Sequence, residues 1–166
     1  MTTKLHRRAL LAGLAAFAAA PGTARAVDQE LTDEEFGLLR RVNEMRRARG
    51  LKTLRLRLDL SQAARDYARL MAEKRFFSHT SPEGDGPTDR ADAVGYDWRR
   101  LGETLAAGQA TPEETAAAWR DSPGHADIIF DPGHRHVGVG YWRRPSADPL
   151  KPALERYWVL LAGDTR

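Results

Sequence analysis

Residues 136–142 read HVGVGYW, and in this stretch the repeat of the chain changes. Val137, Val139 and Tyr141 alternate with His136, Gly138, Gly140 and Trp142, the two-residue period of a strand. Upstream the repeat is helical: Phe36, Leu39, Val42 and Met45 recur three residues apart, as one face of a helix requires. Downstream, YWVLL (157–161) is apolar at every position, which fits a strand covered on both faces and therefore central. The Pro-rich RRPSADPLKPALE (143–155) between the two strands reads as a long surface connection. Helices thus occupy the first two thirds of the chain and strands the last third, an α+β pattern.

Local signals place the helices. TDEE (32–35) is a capping box, with Thr32 and Glu35 each bonding the other's amide, and Gly50 supplies a left-handed stop. A second helix is expected from Asp59 to about Lys74, burying Leu60, Ala63, Ala64, Tyr67, Leu70 and Met71. Pro87 opens a short helix that ends at Gly95. Thr111-Pro112-Glu113-Glu114 is read as another capping box, and its helix carries Trp119 to a break at Ser122-Pro123.

The N-terminus has a separate purpose. MTTKLHRR is basic, ALLAGLAAFAAA (9–20) is apolar, and Ala24-Arg25-Ala26 is a small-x-small cleavage signal; this order is that of an export signal peptide over residues 1–26. Arg7-Arg8 points to the twin-arginine route, with general secretion the other. The segment holds Lys4, Arg7, Arg8 and Arg25 and no acid, so its removal takes the formal charge from +3 to −1. A near-neutral chain with interleaved charges does not fit a nucleic-acid binder. Residues 27–35 form a short lead-in and 36–163 a single domain. There is no cysteine, so neither disulfides nor thiol chemistry enter. No apolar run reaches the length of a transmembrane span. The expected product is an exported monomer, extracellular or periplasmic.

Three short pieces carry the candidate chemistry, each with a titratable residue set at the edge of an element: FFSHTSP with His79, RLGETLAAG with Glu103 and WRDSPGHADI with His125. Their separations are too long for a local metal motif. Ser122, His125 and Glu103 also offer a nucleophile, base and orienter, but Ser122 before Pro123 is better read as a helix cap. His134 and His136, opposite in phase to Val137 and Val139, read as strand-edge histidines rather than a second metal site. Of the four tryptophans, Trp119 and Trp158 read as core, and Trp142, out of phase with the valine face, is the one candidate for a carbohydrate or lipid platform.

Together these motifs resemble the CAP superfamily: RFFSHTSPEGDGPTDRADAVGY (75–96), GETLAAG (102–108) and WRDSPGH (119–125), followed by VGVGYW and YWVLL. The match is closest to the short secreted bacterial form. The resemblance implies a three-layer α-β-α sandwich with a central antiparallel sheet. It also implies a cleft in which two histidines and two acids converge. Carried over by motif, His79 and His125 are the histidines and Glu103 the first glutamate. The position of the second glutamate is Ser122, the usual asparagine after the first is Thr104, and the family's cysteines are absent.

Two imidazoles and a carboxylate suit a divalent metal, zinc foremost, with His79 and His125 as ligands and the acid supporting them. The expectation is a metal-dependent binding module whose ligand-binding residues are His79, Glu103, Ser122 and His125. Its partner is an extracellular wall component, lipid or peptide. The alternative is a peptidase-like hydrolase with Glu103 as base on a metal-held water.

Overall fold

The computed structural model describes residues 30–144 and 155–166. The expected export segment, the start of the lead-in and residues 145–154 of the Pro-rich connection lie outside the described residues. In chain order the elements are α1 (Asp33–Ala48), β1 (Arg55–Leu56), α2 (Leu58–Lys74), α3 (Pro87–Ala93), β2 (Trp98–Ala107), α4 (Pro112–Asp121), α5 (Pro123–Ile129), β3 (His136–Arg143) and β4 (Arg156–Thr165).

The sheet order is β1-β3-β4-β2, so the apolar YWVLL segment is central. β4 pairs antiparallel with both β2 and β3, while the two-residue β1 pairs parallel to β3. The sheet is therefore antiparallel except at one edge, where β1 makes it mixed. Strand alternation sorts β4 between two cores. Trp158, Leu160 and Ala162 pack with Val137, Val139, Trp119 and the α1 residues Leu38 and Val42. Tyr157, Val159 and Leu161 pack with Leu60, Ala64, Tyr67 and Met71 of α2 and with Tyr96. Helices thus cover both faces, the three layers expected.

The glycines of HVGVGYW set one of those layers. A β-carbon added at Gly138 or Gly140 would overlap the main chain of Leu60 or Ala64. Only glycine lets α2 lie this close to β3.

Several local readings need correction. The α1 core face is Leu38, Leu39 and Val42, whereas Phe36 is 59% exposed. The Thr32–Glu35 capping box is complete. At α4 the Thr111 hydroxyl accepts from Glu114 N, but the Glu114 carboxylate reaches Ala110 N, one residue short of a closed box. Ser122 stands at the start of α5 without a side-chain cap bond. β2 has no counterpart in the sequence reading, because Glu103, Thr104, Leu105 and Ala106 are buried in succession and show no alternation.

Candidate functional site

The site begins where α2 ends. Arg75 adopts the left-handed conformation (φ 57°), uncommon for a residue with a side chain, and turns the chain into the loop that holds His79. Two bonds fix that loop. The Tyr67 hydroxyl donates to Ser78 O at 2.7 Å, and Arg90 Nη2 donates to His79 O at 2.9 Å. The His79 side chain remains 54% exposed.

Glu103 does not sit at an element edge, as the sequence suggested, but within β2 opposite Leu161. Its side chain is 1% exposed. Oε1 lies 2.8 Å from His79 Nδ1, and Oε2 accepts from Arg90 Nη2 at 2.7 Å. A buried carboxylate is tolerated when paired and hydrogen-bonded in this way. An ionised carboxylate only accepts, so His79 Nδ1 carries the proton and Nε2 presents its lone pair while the ring is neutral.

Arg90, missed in the sequence, links the parts. It belongs to α3, its guanidinium lies 3.4 Å above the Tyr67 ring, and Nη1 donates to Asp85 O. An arginine on a short polar helix looks solvent-facing. Nothing local in the sequence marks it as turned inward.

His125 is on the first turn of α5, its ring 6.4 Å from that of Trp119. Trp119 is buried as expected and donates from Nε1 to Leu105 O. Burial, and then repulsion from a charged His79, push His125 below the ordinary histidine range. It is therefore neutral at pH 7, with a buried Nδ1 that has no hydrogen-bond partner.

The structure thus joins His79 to Glu103 directly and brings His125 within electrostatic reach of His79. Among the described residues no hydrogen bond links Ser122 to His125 or Glu103, so the serine triad is not assembled. Nor do the described residues contain a cluster of three or more histidine and acidic side chains suited to a metal. The donors on hand are two imidazoles. They fit a divalent ion only if water or ligand atoms complete its coordination.

The outer histidines have structural partners. His134 Nδ1–H donates to Ile128 O at 3.0 Å. Arg55 Nη2 lies 3.1 Å from His136 Nε2, and since arginine only donates, His136 is the neutral Nδ1–H form, donating toward the Tyr96 hydroxyl. Trp142 packs on the α2 layer.

Residues 39–160 match the model of the CAP, or cysteine-rich secretory protein, family. Protein YkwD of Bacillus subtilis (strain 168) is 40% identical over 99 residues, which cover 60% of this chain and 38% of that protein. The chain therefore spans well under half of that relative. Among solved structures, an outer surface protein from Borrelia burgdorferi aligns over 82% of this chain and 97% of its own, with a TM-score of 0.71 and 22% identity. An extracellular protein containing a SCP domain from Bacillus anthracis aligns over 82% of this chain and 45% of its own, with a TM-score of 0.66 and 19% identity. At these identities the two structures establish a shared fold. No helix among the described residues is long and apolar enough to cross a membrane.

Proposed function

The chain belongs to the CAP family of cysteine-rich secretory proteins, and from that premise we propose that it is an exported binding module. Its cleft between the His79 loop, β2 and α5 takes an extracellular ligand, a wall component, lipid or peptide, with the help of a divalent cation. The observation that carries this reading is Glu103. It is buried, anchored by Arg90, and spends its second oxygen orienting an exposed imidazole. A carboxylate that fixes the Nδ1 proton turns Nε2 outward as a ligand, the usual support for a metal-binding histidine. His125, held neutral by its surroundings, supplies the second nitrogen. A bound cation would add Lewis acidity and a fixed positive charge for a ligand oxygen.

Hydrolysis with Glu103 as base is the weaker reading. Both its oxygens are already engaged, so activating a water requires breaking one of these contacts first. The test is zinc calorimetry on the mature protein. His79→Ala and His125→Ala should each abolish tight binding, and His134→Ala and His136→Ala should leave it intact. Retained affinity in both cleft variants overturns the reading.

A further inference from the structure

A second cavity lies beside the short edge strand β1, walled on its other side by the loop before β3. It measures about 280 Å³ and is lined by Lys52, Thr53, Arg55, Pro132, His134 and Arg135. Among the described residues no carboxylate lines it.

The cations around this cavity are short of partners. Among the described residues Lys52 makes no ion pair, and Arg55 bonds only the neutral His136. Arg135 Nε is 3.7 Å from Asp164, a carboxylate that Arg99 already holds at 2.5 Å. Asp131, the acid nearest the floor, accepts from Arg100 and from Gly133 N.

Beneath the floor is a fourth cation. Arg46 is 0% exposed, and its guanidinium donates to the carbonyls of Lys52 (2.8 Å), Ile129 (2.7 Å), Asp131 (3.1 Å) and His134 (3.5 Å). It pairs with no carboxylate among the described residues. The carbonyls take four of its five hydrogens and brace both loops of the cavity wall, but they leave its charge without a directly bonded anion. Asp131 acts on it only through space; a buried charge without a directly bonded counter-ion is costly, and low-dielectric walls focus its field into the opening.

We propose that this cavity binds the phosphate group of an extracellular phosphate ester. Three rim cations above a buried fourth call for a multiply charged anion, and two arginines match the oxygens of a phosphate in a way a single carboxylate does not exploit. The proposal is independent of the His79 cleft.

The probe is pyrophosphate, titrated calorimetrically into metal-free protein in resin-treated, low-salt buffer. The expected dissociation constant is below about 100 μM, and affinity falls as salt rises. The variant Lys52→Ala/Arg55→Gln/Arg135→Gln should weaken binding at least about tenfold, with a thermal midpoint no lower than that of Arg55→Gln alone, which already loses the His136 contact. Arg69→Gln/Lys74→Ala/Arg120→Gln loses the same charge elsewhere and should bind like the parent. Sedimentation with phosphatidylglycerol vesicles, against phosphatidylcholine, separates the sources. Binding sensitive to the first variant puts the phosphate on a lipid; no vesicle binding puts it on a soluble or polymeric ester. Undetectable pyrophosphate binding, or equal weakening in the two variants, overturns the proposal.

Discussion

Glu35 and Glu103 are both buried carboxylates that collect donors from several elements, and their partners differ in where they end. Glu35 accepts from Thr32 N, twice from Arg65 and from Tyr141 N, tying α1, α2 and β3 together. The Arg65 side chain is itself largely buried, at 19% exposed, so the bonds that Glu35 accepts are held between packed elements. Glu103 has a buried partner in Arg90 and an exposed one in His79. A carboxylate whose partners are interior holds layers together; one whose last partner reaches solvent orients a group at the surface.

The largest effect that tests this contrast is Glu35→Ala. It strands the Arg65 guanidinium and two amides, and should cost about 3–5 kcal/mol in urea unfolding, the range for breaking a buried pair. A loss below about 1 kcal/mol would remove Glu35 from the structural side of the comparison. Glu103→Gln keeps shape and some hydrogen bonding, so about 1–3 kcal/mol is expected, together with weaker zinc binding. Full zinc affinity in this variant would mean the carboxylate does not orient His79.

Acid should act on a smaller scale. Burial lowers the imidazole of His134, and burial with the nearby Arg55 and Arg57 lowers that of His136. Lowered values favour the neutral ring in the fold, so their contribution is complete above the unfolded histidine pKa near 6.5 and is lost as pH falls. One unit below that value, each neutral histidine costs at most about 1.4 kcal/mol. His136→Gln should therefore lose less stability between pH 7.5 and 5.5 than the parent; identical losses would place the acid sensitivity elsewhere. The smallest effect is expected from His79→Ala. Its half-exposed side chain should cost under about 1 kcal/mol while zinc binding disappears, and a large stability loss would move His79 to the structural side.

The same contrast explains what the sequence revealed. The helices of the first two thirds announced themselves through capping residues and apolar spacing, and β3 and β4 through alternation and a continuous apolar run. β2 gave no such signal because both its faces are covered and Glu103 interrupts its apolar residues. Phe36 misled because it fits the helical repeat of α1, while Leu38, two positions on, takes the core. His79, Glu103 and His125 are separated in sequence and were legible only as pieces of a family motif. Arg90 and the unpaired Arg46 were not legible, since nothing local distinguishes an arginine that turns inward from one that faces water.

The close seating of α2 on Gly138 and Gly140 also bears on motion. Where main chain meets main chain there is no intervening layer of side chains to compress or repack, so the helix has nothing to slide on. Helix and sheet must travel as one body. With the His79 loop held by Tyr67 and Arg90, adjustment at the proposed cleft falls to the exposed His79 ring, a rotation on the side-chain timescale rather than the slower displacement of a helix.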